Sequence, residues 1–379
     1  MKRESTAFSQ SEQGILARTD FSRFLQALQS RGYTIQGPRV HDGAVGWGAV
    51  NRLEDLPIGW RDNQHPGSYQ LERTTSTRCF GIVHGGESMK QHTFAPQETL
   101  IVIERKKKTF ECRPTIPETK RIAILGIRAC DIAALAIQDR VFLQEQYPDP
   151  YYRARRKNLL LIAVNCTRAV ETCFCASMGT GPKAQEGYDL SLTENDDDFL
   201  VRAGSRAGLE IFQELPLRPV SQAQLDEEKV QINACAASQT RLLDQQQLPQ
   251  ALYDAHDHSQ WDEVATRCLA CTNCTMVCPT CFCHTVEEQT DLKREKSEHV
   301  RLWDSCFTQN HGYIHGKNFR PTIKDRYRMW LTHKLGTWID QFGTSGCVGC
   351  GRCITWCPVG IDLTQEFEKI VTSLNHRTS

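Results

Sequence analysis

The 379-residue chain has no excess of either charge, with 45 Lys and Arg against 45 Asp and Glu. That balance excludes the broad basic surface on which nucleic-acid binding depends, and short runs such as Arg105–Lys108 and Asp196–Asp198 read as solvated surface. Long hydrophobic runs are missing as well. The strongest apolar stretch, Leu159–Val164, is far too short to span a bilayer, and the polar Met1–Gly14 lacks the apolar core of a signal peptide. These absences predict a soluble, cytoplasmic protein with no membrane span and no nucleic-acid partner. Also lacking are a G-x-G-x-x-G or Walker fingerprint, a recognisable flavin fingerprint, nickel-ligand pairs and a Ser/His/Asp constellation. No catalytic residue is therefore assigned, and the glycines of "SMGTGP" read as a turn.

What the chain has in plenty is cysteine, 18 in all. In a reducing compartment clustered thiols do not persist as structural disulfides, so metal ligation or redox chemistry is the leading explanation. Cys268, Cys271, Cys274 and Cys278, followed by Pro279, form C-x2-C-x2-C-x3-C-P, and Cys347, Cys350, Cys353 and Cys357, followed by Pro358, repeat it. This doubled run is the bacterial ferredoxin pattern. Three closely spaced thiolates let one loop wrap three corners of a cubane, while the fourth cysteine departs to ligate the other cluster. The spacing therefore predicts two [4Fe-4S] clusters with crossed ligation, one on Cys268, Cys271, Cys274 and Cys357, the other on Cys347, Cys350, Cys353 and Cys278. Gly349 and Gly351 let the backbone approach and turn N–H groups toward cluster sulfur. A pair of zinc sites is the competing reading, but zinc gains nothing from a third equally spaced cysteine and the C-P ending.

The rest of the chain reads as α+β. Residues 1–220 read as a mixed α/β domain, 221–260 as a helical linker and 261–379 as an all-helical ferredoxin-type domain. "DFSRFLQALQSRG" predicts a helix capped by Asp20, with Phe21, Phe24, Leu25 and Leu28 on one face and Gly32 as its stop. "SYQLER", "TLIVIER", "RIAILGI" and "NLLLIAV" have strand length and character. The last two flank a helix, which implies a parallel pair. "PTIKDRYRMWLTHKLGTWIDQF" predicts a helix opening at Pro321, with Ile323, Tyr327, Trp330, Leu331, Leu335 and Trp338 at helical spacing and its aromatics in the core. A final helix starts at Asp362.

Cys130 and Cys166 each follow one of the two predicted parallel strands, which would bring both thiols to the carboxyl edge of a sheet, where open α/β folds bind ligands. Cys173 and Cys175 follow closely. These four are candidate ligands of a third cluster, and Cys130, near a helix start, is expected to have a lowered pKa. Cys281, Cys283 and Cys306 exceed the needs of two clusters, and the sequence leaves their role open.

The stretches "GIRACD", "CFCASMGTGP", "CPTCFC", "WDSCF", "RYRMWLTHK" and "GCVGCGRCITWCPVGID", together with "DLPIGW" and "PGSY", resemble the iron–sulfur β subunit of cytoplasmic NAD(P)-linked [NiFe] hydrogenases, or sulfhydrogenases. The electron-transfer subunit of anaerobic sulfite reductase is similar in plan. The resemblance implies a non-catalytic electron-transfer subunit of an oxidoreductase complex. Its partners would be a FAD/NAD(P)-binding subunit and a hydrogenase or sulfite-reducing catalytic subunit. The competing functions are a reductase with its own cysteine-based active site and a zinc-stabilised interaction module.

Overall fold

The computed structural model describes residues 12–378, so most of the stretch read as lacking a signal peptide lies outside the described residues. Strand β1 (Gln13–Ala17) and helix α1 (Phe21–Ser30) lead into the hairpin β2 (Thr34–His41) and β3 (Ala44–Ala49). Two further hairpins follow, β4 (Trp60–His65) with β5 (Ser68–Arg73), and β6 (Gln97–Lys106) with β7 (Thr109–Pro114). Then come β8 (Ile122–Ile127), α2 (Ala129–Leu143), α3 (Pro150–Lys157) and β9 (Leu159–Val164). β10 (Leu190–Glu194), β11 (Asp198–Ala203) and α4 (Arg206–Phe212) follow.

The main sheet has the order β1-β11-β10-β9-β8-β2-β3. Its centre, β10, β9, β8 and β2, is parallel, and the expected parallel pairing of β8 with β9 is present. The remaining pairings are antiparallel and lie toward the two edges. Every residue of β9 is buried, as a central strand covered on both faces requires. Alternate residues feed two cores. Phe21, Phe24, Leu25 and Leu28 of α1 pack with Leu125, Ile162 and Phe199 on one face. Leu135, Phe142 and Tyr152 of α2 and α3 pack with Ile124 and Leu161 on the other. At about 1.5–3 kcal/mol for each large apolar side chain buried, these two layers are the principal reason the sheet forms.

Beyond the sheet the chain runs through α5 (Gln222–Ala237), α6 (Leu248–Asp254), α7 (Gln260–Arg267) and the short α8 (Asn273–Met276). It does not stay helical. β12 (His284–Thr290) and β13 (Lys296–Trp303) form a hairpin between the two cysteine runs, followed by the short β14 (Tyr313–Ile314) and β15 (Lys317–Asn318). The expectation of an all-helical C-terminal domain is therefore wrong. β13 pairs with β6, giving a four-stranded sheet β12-β13-β6-β7 that joins residues far apart in sequence. The segment escaped detection because β12 is largely exposed, so its side chains carry no apolar alternation. Its strand character comes from backbone pairing with β13.

The last part contains α9 (Ile323–Thr332), α10 (Trp338–Phe342), α11 (Arg352–Thr355) and α12 (Leu363–Thr378). Thr322 and Asp325 form a capping box at the start of α9, just beyond the expected Pro321. A π-helical turn, His333–Thr337, joins α9 to α10 and leaves Lys334 and Leu335 buried. The aromatics Tyr327, Trp330 and Trp338 are in the core as anticipated, with Leu331 and Leu335, while Ile323 at the start of the helix is half-buried. Among the described residues no helix is long and apolar enough to cross a membrane.

Arg301 of β13 ties the hairpin down. Buried itself, it donates to Glu98 of β6 at 2.6 Å and to Asp149, the N-cap of α3, at 2.5 Å. Replacing it by alanine leaves Glu98 with Arg155 alone and the partly buried Asp149 without its cation, so Arg301→Ala is expected to cost about 1.5–3 kcal/mol in anaerobic denaturant unfolding. An unchanged midpoint would refute the tie.

Candidate metal centres

The first cysteine run starts where α7 stops, with Cys268 N–H closing the last turn on Val264 O at 3.0 Å. Ala270 (φ 49°) and Thr272 (φ 71°) then take left-handed conformations, which are unusual for side-chain-bearing residues and fold the loop back between the thiols. Cys268, Cys271 and Cys274 line one cavity. The second run contributes Cys357 and Cys353 to the same lining, beside Phe307, Tyr327, Trp330 and Ile361. Backbone N–H groups point at the sulfurs: Ala270 donates to Cys268 Sγ (3.4 Å) and Ile361 to Cys357 Sγ (3.3 Å).

The second run repeats the geometry with glycine. Gly349 (φ 63°) and Gly351 (φ 76°) occupy the places of Ala270 and Thr272, and Gly349 N–H donates to Cys347 Sγ at 3.4 Å. Glycine is required here for a further reason. A Cβ on Gly349 would lie 2.5 Å from Phe174 O, and one on Gly351 2.2 Å from Thr172 O. The segment Thr172–Cys175 thus lies directly on the second run. Phe174 N–H donates to Gly349 O (2.9 Å) and the Thr180 hydroxyl to Val348 O (2.6 Å). The tetrapeptide Thr-Cys-Phe-Cys occurs again at Thr280–Cys283. There Thr280 donates to Gly346 O at 2.7 Å, so the two copies grip the same loop from different elements.

Burial pushes the thiols up, Cys347 to about 12, and Cys274 and Cys353 well above the usual thiol range. The thiolates that iron requires are therefore costly unless positive charge is at hand. Lys334 supplies some of it: its buried ammonium donates to Cys278 Sγ (3.4 Å), Thr280 Oγ1 (3.0 Å) and Gly346 O (3.2 Å). Burial works against that charge, but the surrounding thiolates, Cys278 first, outweigh it and hold the lysine above its ordinary value. A hydrogen bond from Cys281 in turn pulls the Cys278 thiol down. Arg352, within the second run, forms a fully buried bidentate pair with Asp131 (2.9 and 2.8 Å) and donates to Gly85 O. His84 Nε2 lies 2.7 Å from Cys350 O, and burial keeps its imidazole neutral.

The donor set fits iron–sulfur clusters. Soft sulfur donors surround a cavity, N–H dipoles point at the sulfurs and a buried cation offsets their charge. Among the described residues no group of His, Cys, Asp or Glu is drawn together as it would be around a single ion.

Cys130 begins α2 just past β8, and Cys166 follows β9, both at the carboxyl edge of the parallel strands. The position of Cys130 does not lower its pKa as expected. Burial raises it well above the thiol range. Cys173 and Cys175 lie among the charges of Cys166 and Cys350. A fifth thiol, Cys235, reaches them from α5 within electrostatic range of Cys166 and Cys175. Sequence reasoning missed Cys235 because a lone cysteine on a helix carries no spacing signal. It also missed Lys334, whose inward position depends on the π-helical turn.

A family model described as a 4Fe-4S dicluster domain matches residues 267–361. The chain is 31% identical over 330 residues to the sulfhydrogenase 2 subunit beta of Pyrococcus furiosus, covering 84% of this chain and 94% of the relative. No solved structure matches.

The asymmetry between the two runs makes a prediction. Gly351→Ala should displace Thr172 and lower bound iron by about four atoms per chain, one cubane, whereas Thr272→Ala at the equivalent place should keep wild-type iron. Anaerobic iron and acid-labile sulfide analysis checks both.

Proposed function

The chain belongs to the family of iron–sulfur hydrogenase β subunits, and on that premise we propose that it relays electrons through [4Fe-4S] clusters between a FAD/NAD(P)-binding subunit and a hydrogenase or sulfur-reducing catalytic subunit. The observation that carries the reading is the cavity lined by Cys268, Cys271, Cys274 and Cys357, in which three thiols of one run meet the last thiol of the other, with Cys353 of the second run also on its lining. Cys278 has the complementary place, within the electrostatic reach of Cys347, Cys350 and Cys353. Both cluster sites therefore fall in the 261–379 region.

Bound there, the clusters supply one-electron transfer. The residues supply the setting. Phe307, Tyr327 and Trp330 form the apolar side of the first site, where a lower dielectric strengthens charges and dipoles, while Cys271 faces solvent on the other side. The N–H donors and Lys334 stabilise added negative charge and raise the potential, more strongly at the second site, where the lysine lies.

A third cluster is assigned to Cys130, Cys166, Cys173 and Cys175, at the edge of the main sheet and against the second run. Cys235 is the one neighbouring thiol that competes for a corner.

Two expectations follow. Cys278→Ser should perturb the paramagnetic resonance signal altered by Cys350→Ser, and Cys357→Ser that altered by Cys271→Ser. The opposite pairing would reject crossed ligation. For the third cluster, Cys130→Ser should lower iron by about four atoms per chain and Cys235→Ser should not, with the reverse result moving the fourth corner to Cys235.

A further inference from the structure

Six thiols lie outside the cluster assignments made so far, Cys79, Cys112, Cys235, Cys281, Cys283 and Cys306, and two of them are held together. Cys283 and Cys306 flank the open end of the β12–β13 hairpin, whose terminal pair is His284 and Trp303, and Asp304 N–H donates to Cys283 O at 2.9 Å. The hairpin therefore holds the two segments side by side. The Cys283 side chain is hydrogen-bonded to Cys306 and to His311. His311 Nδ1 donates to Asp304 Oδ2 at 2.8 Å, while the other carboxylate oxygen accepts from Ser305 N–H and the Thr308 hydroxyl. The carboxylate thus fixes the imidazole, leaving its other nitrogen for the thiol.

This arrangement differs from the cluster thiols. Within the two runs Cys278 is hydrogen-bonded to Cys281, a thiol beside a cluster ligand, whereas Cys283 and Cys306 are hydrogen-bonded to each other outside both runs. Both are partly exposed, unlike the buried Cys130, Cys173 and Cys175. They also adjoin the first run, because Thr275, next to Cys274, donates to Ser305, next to Cys306, at 2.7 Å.

We propose that Cys283 and Cys306 form a redox-active dithiol that closes to a disulfide, with His311 as its proton carrier, and that it passes electron pairs from the iron–sulfur centres to an external disulfide. The supply of electrons rests on the relay reading. The Cys283 thiolate attacks one sulfur of the acceptor, and the departing thiolate takes the proton that His311 donates toward Cys283, leaving a mixed disulfide on Cys283 and a neutral imidazole. Cys306, losing its proton to that imidazole, then attacks the Cys283 sulfur and releases the second thiolate. The new Cys283–Cys306 bond is broken again when the disulfide accepts two electrons, one at a time, and one proton, restoring a thiolate on Cys283 and a thiol on Cys306. Hydrogen bonding from Cys306 and His311 pulls the Cys283 pKa down to about 4, consistent with its role as the attacking sulfur.

The test uses the full chain, anaerobically prepared with its clusters, and hydroxyethyl disulfide as the probe. After acid quench and alkylation, mass spectrometry should find a peptide linked through Cys283 and Cys306, which dithionite returns to two alkylated thiols. Cys306→Ser should trap 2-mercaptoethanol on Cys283. His311→Gln should slow the linkage about 100-fold at wild-type iron content. Full alkylation of both cysteines under every condition would overturn the proposal, as would a loss of about four irons in Cys283→Ser, which would make it a cluster ligand. Thiol labelling needs no partner subunit, so an unlinked pair sinks this inference without touching the relay. Uncrossed cluster spectra would sink the crossed-ligation assignment behind the relay without touching the dithiol.

Discussion

The buried pair of Arg352 and Asp131 is the joint on which the rest of the molecule depends. Both side chains are 1% exposed, and two charge-assisted bonds run in parallel between them. Asp131 stands at the carboxyl edge of the main sheet beside Cys130, and Arg352 stands between Cys350 and Cys353. The pair thus locks the second cysteine run against the parallel strands. A buried ion pair is weak evidence of net stability, but removing one partner leaves an uncompensated charge in the interior and costs about 3–5 kcal/mol. Its value here is registry: it determines which residues of the first half face the second run.

That registry explains why Gly349 and Gly351 are glycine while Ala270 and Thr272, in the same left-handed places, are not. The first run faces its cavity and open space. The second is pressed against Thr172–Cys175, where even a methyl group would collide with carbonyl oxygen. The β12–β13 hairpin adds a second seam through β6, and Arg301 a third. The two halves are therefore stitched together at the sites where cysteines concentrate.

The thiols divide by environment. Those of the two runs surround space and depend on N–H dipoles and Lys334 to carry negative charge. Those at the edge of the sheet are mostly buried under the second run. Cys283 and Cys306 touch each other, are partly exposed, and have an imidazole held by a carboxylate. The sulfurs thus differ in whether they surround a gap or meet, and exposure alone does not sort them, since Cys271 of the first run is exposed.

Much of this could be read from local pattern. Cysteine spacing identifies the two runs because loop geometry around a cubane is a short-range constraint. The buried β8 and β9 and the amphipathic α1 show in apolar periodicity, and the parallel pairing follows from their connection. The β12–β13 hairpin could not be read, since an exposed strand is specified by its partner's backbone rather than by its own side chains. Nor could the inward turn of Lys334, the pairing of Arg352 with Asp131, or the approach of Cys235 to Cys166. Each depends on elements distant in sequence meeting in space. Local spacing determined which residues could hold iron, and only long-range packing decided which thiols share a cavity, which touch, and which charges surround them.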